Sequence, residues 1–184
     1  RFQPQRLLEV NPGIGLLTSW LLDAWEKKLW NPVEHHLVEK GGKFGVILQR
    51  QIQRYGSANH VLLHVSDYAR LLAESEAARQ IGNNLTPYLP VDADMVIVDV
   101  LGSEDVSDVT IGLQHLRKGG VLLVVEPSEP EESASSDAPS VKRFQSWIDL
   151  VTEQYNIRPM AFLPLTGGTL VAMLGQDAAA SISD

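Results

Sequence analysis

The sequence contains no cysteine, which excludes disulfide bonds, thiolate nucleophiles and metal sites with cysteine ligands. It also has few cationic residues: 15 Lys and Arg stand against 23 Asp and Glu, and no basic tract offsets the formal net charge of -8. Because such a charge repels phosphate backbones, a nucleic-acid substrate is disfavoured. No apolar run approaches the roughly 18 residues that cross a bilayer, and the first residues lack the apolar core of a secretory signal.

These absences predict a cytoplasmic protein without a membrane anchor. Its 184 residues, 44% of them apolar, suffice for one domain with a core but are too few for two typical domains. We expect a single domain over 1–184, with a disordered tail at 176–184. The segment 126–140, EPSEPEESASSDAPS, is acidic and almost free of apolar residues, which predicts a flexible loop. The chain does not begin with Met, so we also expect it to be part of a larger chain or complex.

Short apolar runs alternate with longer segments of helical periodicity along most of the chain. This alternation favours an α/β fold, a mostly parallel sheet with helices on both faces. Only Thr166, Gly167 and Gly168 separate the last two runs, too few for a crossover, so these strands should form an antiparallel hairpin. The predicted strands are 7–10, 35–39, 60–65, 94–100, 120–125, 158–163 and 169–174, and the predicted helices are 16–30, 45–55, 68–81, 106–116 and 141–155.

The first apolar run leads into the sequence EVNPGIG, residues 9–15. Gly13 and Gly15 lack Cβ atoms and can adopt positive φ, so the backbone can approach a ligand closely and present amide hydrogens to it. Pro12 stiffens the turn, and Asn11 tolerates left-handed geometry. The turn is therefore interpreted either as a binding site for a carboxylate or phosphate, or as a plain corner between strand and helix.

An acid before a glycine-rich turn, in a chain of seven strands closed by an antiparallel hairpin, resembles the class I S-adenosylmethionine-dependent methyltransferases. The resemblance extends from Leu7 to about Gly175 and implies a Rossmann-like sheet with S-adenosyl-L-methionine as the cofactor. The NPGIG turn is similar to that of the rRNA adenine dimethyltransferases and mitochondrial transcription factor B. Their acceptor motif is absent, because the place after the fourth strand reads DVLG at 99–102.

Acids follow successive predicted strands, whose carboxyl ends meet at one edge of a parallel sheet. The resemblance implies that Glu39 accepts both hydrogens of a ribose diol. It implies that Asp67 holds the adenine amino group beside Tyr68 as a stacking surface, and that Asp99 faces the methyl donor. Each acid alone is also explained as a solvated loop residue or a helix cap. The implied cofactor-binding residues are Glu9, Asn11, Gly13, Gly15, Glu39, Asp67, Tyr68 and Asp99.

The sequence indicates catalytic residues less clearly than it indicates cofactor-binding residues. Methyl transfer from a sulfonium needs mainly in-line positioning, often with a base for the acceptor, so no fixed triad is required. The candidate catalytic residues are Asp99, at the end of the fourth predicted strand, and Glu104, just beyond it. No pair of histidines has metal-ligand spacing on a helix, so no metal is predicted. Among the tryptophans, Trp20 and Trp147 fit core positions of helices.

Three functions remain open. The first is a methyltransferase acting on a small molecule or a protein. The second is a catalytically inactive methyltransferase-like domain that serves as a scaffold or assembly subunit, which the altered first glycine and the absent acceptor motif favour. The third is an NAD(P)-binding oxidoreductase, since a nicotinamide cofactor also uses a Gly-x-Gly turn and a downstream acid. Thr18 in place of a third glycine and the terminal hairpin argue against the third function.

Overall fold

The computed structural model describes residues 3–30, 32–55, 60–82, 89–100, 106–166 and 168–176. Within these ranges, seven strands and five helices follow one another in the predicted order, with ends displaced by a few residues. The strands are β1 (Arg6–Val10), β2 (Glu34–Val38), β3 (Val61–His64), β4 (Ala93–Val98), β5 (Leu116–Val125), β6 (Met160–Leu165) and β7 (Gly168–Leu174). The helices are α1 (Leu16–Glu26), α2 (Gly42–Ile52), α3 (Tyr68–Gln80), α4 (Ser107–His115) and α5 (Pro139–Tyr155).

All seven strands form one sheet in the order β3-β2-β1-β4-β5-β7-β6. The five strands from β3 to β5 run parallel, and β7 is antiparallel to both β5 and β6. The predicted α/β fold and its terminal hairpin are therefore confirmed. Because the strand order reverses between β1 and β4, ligands of such a sheet are expected beside the carboxyl ends of these two strands.

Alternate side chains of each strand point to opposite faces of the sheet, and each face has its own core. On the first face, α1 and α2 cover β1, β2 and β3 around Leu7 and Leu37. On the second face, α3, α4 and α5 pack over a larger core that includes Val96, Leu122 and Trp147. Trp147 is fully buried, as the sequence predicted.

The other tryptophan prediction is wrong. Trp20 is 70% exposed, whereas Trp25, one turn later in α1, is only 1% exposed. The Trp25 ring packs edge-to-face on the ring of buried His35, with centroids 4.7 Å apart. The stripe of α1 that faces the sheet therefore consists of Thr18, Leu22 and Trp25.

The acidic segment 126–140 joins β5 to α5 at the carboxyl edge of the sheet. Backbone hydrogen bonds from Ala134 to Glu131 and from Ala138 to Ser135 close two turns within it. Its last two residues belong to α5, which begins at Pro139. The flexibility of this segment stays a prediction, and the expected tail lies outside the described residues from 177 onward. Among the described helices, none is long and apolar enough to cross a membrane.

Leu122 and Leu163 offer a matched test of the core. Leu122 is 0% exposed, whereas Leu163 is 45% exposed on the edge strand β6. We expect Leu122→Ala to lower the free energy of unfolding by about 3 kcal/mol, because it opens a cavity, and Leu163→Ala to lower it by less than about 1 kcal/mol. Urea denaturation followed by circular dichroism measures both variants. Equal losses would contradict this assignment of the core.

Candidate functional site

The turn between β1 and α1 uses left-handed backbone at three positions. Asn11, Gly13 and Gly15 have φ values of 57°, 58° and 72°. The N–H of Asn11 donates to the carbonyl of Val38 at 2.8 Å, and the N–H of Gly15 donates to the carbonyl of Pro12 at 2.9 Å. The turn is thus closed on itself and tied to the end of β2. No side chain accepts a hydrogen bond at the N-cap of α1, so its first turn lacks the usual side-chain acceptor.

The two glycines of the turn serve different purposes. A Cβ on Gly15 would overlap Oε1 of Gln51 and lie 2.5 Å from Cδ2 of Leu48. Gly15 therefore allows the start of α1 to pack closely against α2. A Cβ on Gly13 would meet nothing within 4 Å. Gly13 consequently borders open space, which is the condition for close approach of a ligand to its backbone.

Glu39, directly after β2, joins the turn to the next loop. Its Oε2 accepts a hydrogen bond from the N–H of Gly13 at 3.0 Å, and its Oε1 accepts one from the N–H of Gly41 at 2.7 Å. The residue is only 4% exposed. The structure therefore brings Glu39 to the turn, where the amide hydrogen of Gly13 already has Glu39 as its acceptor. Its role toward a ribose stays a prediction.

Asn11 connects the ends of β1 and β4 with the start of α4. Its Nδ2 donates to Oδ2 of Asp108 at 2.8 Å and lies 3.4 Å from the carbonyl oxygen of Asp99. The N–H of Asp99 donates in turn to the carbonyl of Val10 at 3.0 Å. Asn11, Asp99 and Asp108 thus meet where the strand order reverses. Asp108 is not among the residues predicted for the site, and its only signal in the sequence is that of an acid in the first turn of a predicted helix. The other candidate catalytic residue, Glu104, lies outside the described residues.

Glu9 does not reach this crevice. Because side chains alternate along β1, it points to the face that α1 covers, and it is 2% exposed. Its Oε2 accepts a hydrogen bond from the hydroxyl of Thr18 at 2.9 Å. Its Oε1 lies 2.6 Å from Nε2 of His35, although the angles are not those of a hydrogen bond. Glu9 thus anchors α1 to the sheet, and Thr18, in place of a third glycine, is its partner.

Asp67 and Tyr68 occupy the start of α3. Asp67 is exposed, and its Oδ1 accepts a hydrogen bond from the N–H of Arg70 at 3.1 Å, which makes it the N-cap of the helix. Tyr68 is 2% exposed, and its hydroxyl lies 2.5 Å from Nδ1 of His115. Burial raises the pKa of this hydroxyl above its usual range. Tyr68 is therefore a core residue, and the expectation that it offers an open stacking surface is wrong.

Several histidines are held neutral by their surroundings. Burial lowers the pKa of His64 and of His115 to about 4, because it disfavours the charged imidazolium. Burial also lowers the pKa of His36, whose Nδ1 lies 3.0 Å from Nε2 of His64. These contacts are structural pairs rather than bases aimed at Asn11 or Glu39. Within the described ranges, no group of three or more His, Asp or Glu residues is arranged to hold a metal ion.

A separate cleft opens at the amino edge of the sheet, between the start of β5 and the end of α5. Its lining includes Leu116, Lys118, Gln154 and Ile157. We place the candidate site at the carboxyl edge instead. Ligands of open parallel sheets bind beside the carboxyl ends of strands at the point where the order reverses, and the glycine turn lies there.

Solved structures of methyltransferases share this fold. The O-methyltransferase TomG from Streptomyces achromogenes, in complex with S-adenosylmethionine, gives a TM-score of 0.67 at 18% identity, over 95% of this chain and 74% of that chain. The O-methyltransferase from Bacillus cereus, in complex with S-adenosylhomocysteine, gives a TM-score of 0.63 at 16% identity, over 93% of this chain and 74% of that chain. The tRNA methyltransferase TrmI from Aquifex aeolicus gives a TM-score of 0.57 at 12% identity, over 94% of this chain and 62% of that chain.

At these identities the likeness shows a common fold. This chain spans about three quarters of the length of the two O-methyltransferases. Neither a comparison with protein-family models nor one with curated protein sequences gave a match.

Alanine substitutions separate the roles of the two glycines. In Gly15→Ala, the new Cβ overlaps Gln51 and Leu48 in addition to the left-handed strain, so we expect the free energy of unfolding to fall by about 3 kcal/mol. Gly13→Ala adds backbone strain alone and should cost about 1 kcal/mol. Urea denaturation compares the two variants. A loss for Gly15→Ala no larger than that for Gly13→Ala would show that packing does not require Gly15.

The buried histidines predict a loss of stability in acid. Burial lowers the pKa of His115 in the folded chain to about 4, below the ordinary value of 6.5 for histidine, so the unfolded chain binds more protons between these values. The contribution of neutral His115 to the free energy of unfolding is therefore fully present above pH 6.5 and is lost as the pH drops toward 4. At about pH 5.5, the loss from His115 is about 1 kcal/mol. His64→Gln should flatten the decline, because His64 shifts in the same direction. Denaturation curves across this range test the prediction, which fails if the variant keeps the parent's pH dependence.

Proposed function

We propose that this chain is a class I S-adenosylmethionine-dependent methyltransferase. The observation that carries the proposal is the open space at Gly13, in a glycine turn that lies beside Glu39 at the carboxyl ends of β1 and β2, where the strand order reverses. The turn stands in a seven-stranded sheet of the order β3-β2-β1-β4-β5-β7-β6. The same fold occurs in O-methyltransferases solved with S-adenosylmethionine and S-adenosylhomocysteine.

Glu39 is the residue that would hold the ribose of the cofactor. Each carboxylate oxygen accepts one backbone hydrogen bond and keeps a second lone-pair direction. A vicinal diol presents two hydroxyl donors, which match these two oxygens. The open space at Gly13 lets the cofactor approach the turn, and the uncapped start of α1 favours its carboxylate. Asp67 lies after β3, where it would receive the adenine amino group.

Asp99 would act at the reacting end of the cofactor. It follows β4, where its backbone carbonyl and the carboxylate of Asp108 both lie within reach of Nδ2 of Asn11. When bound, S-adenosylmethionine supplies an electrophilic methyl group on a cationic sulfur. The acids favour a cation there, and Asp99 would orient the acceptor or take its proton. In-line positioning supplies most of the rate enhancement.

The net charge of the protein indicates which class of molecule can be its methyl acceptor. With a formal net charge of -8, the chain attracts cationic groups and repels phosphate backbones. We therefore infer a small molecule or a protein as the methyl acceptor, and a nucleic acid is disfavoured.

A catalytically inactive, methyltransferase-like scaffold is the second candidate. The observation that favours it is the mutual satisfaction of Gly13 and Glu39, which leaves the Glu39 side chain buried without any ligand. None of the comparisons supports an NAD(P)-binding oxidoreductase. Ligand binding separates these possibilities.

Titration calorimetry with S-adenosylhomocysteine tests the proposal. We expect a dissociation constant in the micromolar range, about -7 to -8 kcal/mol. Glu39→Gln keeps the size of the side chain but removes its charge and one acceptor, so it should weaken binding about tenfold to a hundredfold, or about 1.5–3 kcal/mol. Glu153→Gln, an exposed change of the same chemistry on α5, is the matched control and should leave the affinity unchanged.

Other outcomes identify the alternatives. Folded protein that binds no S-adenosylhomocysteine at millimolar concentration would overturn the enzyme proposal and support the scaffold. Binding of NAD in its place would support the oxidoreductase. Equal weakening by both Glu variants would show that Glu39 is not part of the site.

A further inference from the structure

The cleft at the amino edge of the sheet collects cationic side chains in a chain that is acidic as a whole. Its volume is about 640 Å³, within the range of roughly 300–1,000 Å³ that is typical of small-molecule sites. Three of the four charged residues in its lining are cations, although the formal net charge of the chain is -8. We call it the amino-edge cleft, and its charged lining residues are Arg117, Lys118, Arg158 and Asp92.

Arg117 and Lys118 belong to a bulge in β5. Between two successive pairs with β4, β5 advances by five positions and β4 by only two. The N–H of Gly119, whose φ is 71°, donates to the carbonyl of Gly175 at 3.0 Å, which fixes the bulge against the end of β7. Bulges redirect side chains and are common beside functional sites. Both cations of β5 therefore leave the regular ladder at the edge of the cleft.

Arg158 lies between α5 and β6 and is half-buried. Its Nε donates to Oε1 of Gln154 at 2.7 Å, and its Nη1 donates to the carbonyl of Leu174 at 3.1 Å. Both acceptors are neutral, and no carboxylate of the described residues pairs with this arginine. Burial lowers the pKa of the Arg158 guanidinium below its usual range, because it disfavours the charged form. The protein thus holds this guanidinium in place and leaves its charge unbalanced.

Arg117 is held in a similar way, with an acid as one of its acceptors. Its Nε donates to Oδ1 of Asp94, and its Nη1 donates to the carbonyl of Lys118 at 2.9 Å. Oδ2 of Asp94 also accepts the N–H groups of Gln5 and Arg6, at 2.7 and 2.8 Å, so this carboxylate already has three donors. Among the described residues, the Nη2 atom of neither lining arginine has an acceptor. Because both guanidinium groups are oriented already, they lose little side-chain entropy on binding an anion.

Both lining arginines contact the end of β7. Arg158 donates to the carbonyl of Leu174, and the next residue, Gly175, lies so close to the bulge that a Cβ on it would overlap the carbonyl oxygen of Arg117. The N–H of Gly175 also donates to the carbonyl of Gly120 at 2.9 Å. The two arginines are therefore held in one small region of the cleft.

We propose that the amino-edge cleft binds a small organic phosphate. A phosphate monoester carries a charge of about -1.5 to -2 at neutral pH and three acceptor oxygens, so it can accept hydrogen bonds from both guanidinium groups. A carboxylate has one charge and two oxygens, which match a single guanidinium. The lining also includes Val91 and Ile157, which are 57% and 55% exposed and would contact the apolar part of the ligand. This site lies at the opposite edge of the sheet from the glycine turn, so it does not depend on the proposed function.

The net charge of the chain favours a small ligand over a long polyanion. At physiological ionic strength the field of an exposed charge falls off over about 8 Å, so the residues of the cleft determine the potential inside it. A single phosphate group stays within this distance of the lining cations. A long polyanion would extend beyond the cleft into the field of the excess acids.

Phenyl phosphate is a probe that has both features, a phosphate group and an apolar ring. Its binding to the full chain is followed through the backbone amide shifts in ¹H–¹⁵N NMR at constant ionic strength. We expect a dissociation constant below about 1 mM, with the largest shifts at 117–120 and 174–176. Inorganic phosphate, which lacks the ring, should bind about threefold to tenfold more weakly. Benzoate, which has a carboxylate in place of the phosphate, should bind about tenfold more weakly.

Protein variants locate the phosphate group. Arg158→Gln removes the unbalanced charge and should weaken binding of phenyl phosphate by about tenfold or more. Arg158→Lys keeps the charge but loses the planar fork, so its affinity should lie between those of Arg158→Gln and the parent. Arg70→Gln, at an exposed arginine on α3, removes the same charge elsewhere and should leave binding unchanged. If circular dichroism shows that Arg158→Gln does not fold, Lys118→Gln, at an exposed residue of the cleft, should weaken binding about threefold or more.

Several results would overturn the proposal. The absence of shifts at about 10 mM phenyl phosphate would show that the cleft is not a phosphate site. Shifts that are largest at the glycine turn, residues 11–15, would place the phosphate at the other edge of the sheet. Equal weakening by the Arg158→Gln and Arg70→Gln variants would show a general effect of charge. Equal binding of benzoate would contradict the selection of phosphate, and equal binding of inorganic phosphate would contradict an organic ligand.

Discussion

The carboxylate of Glu39 holds together the two loops that form the crevice. β1 and β2 are parallel neighbours, with Val10 opposite Val38, so the turn after one strand must lie beside the residue after the other. Glu39 uses this proximity to accept hydrogen bonds from the backbone of both loops, at Gly13 and Gly41. Hydrogen bonds to a charged group contribute about 1.5–3 kcal/mol each, which is enough to fix a turn of left-handed residues. A ligand of this edge meets a backbone that is already ordered.

Two acids near strand ends have different surroundings because Glu39 lies two positions further along the strand direction than Glu9, which is level with Leu37. Glu9 is the penultimate residue of β1, and alternation turns it under α1, where it meets Thr18 and His35. Glu39 follows the last residue of β2 and turns toward the loops. A buried carboxylate needs such partners, because burial without them costs several kcal/mol. An acid before a glycine turn is thus consistent with two roles, and only the position of the strand end separates them.

The sequence predicted the elements better than the orientation of particular side chains. Apolar runs bounded by Gly, Pro, Asn or Asp located the strands, and a three-residue connection was enough to predict the hairpin. The buried tryptophan of α1 was not predictable in the same way, because this helix has apolar residues nearly all round. Its orientation follows from the packing of Leu22 and Trp25 against residues such as Leu37 and Leu48, which lie on other elements of the chain.

Long-range pairs account for the other differences between expectation and structure. Tyr68 is buried in the core of the second face, where its hydroxyl meets His115, a residue 47 positions away that no local pattern connects with it. The same holds for Asn11 and Asp108, which lie 97 positions apart. Sequence patterns of period 2 or 3.6 describe one element at a time. They identified the edge where the candidate residues gather, but not the hydrogen bonds that position them there.

The connections of the chain explain why one face of the sheet is covered better than the other. The helices after β1 and β2 lie on the first face, and those after β3, β4 and β5 lie on the second. The last connection, from β6 to β7, is a hairpin and contributes no helix. On the first face, β4, β5, β7 and β6 therefore receive no helix from any described connection. Their sequences nevertheless have the continuous apolar character of strands that are covered on both faces. The composition of these strands is therefore that of a covered surface, although no described connection supplies a helix to cover it.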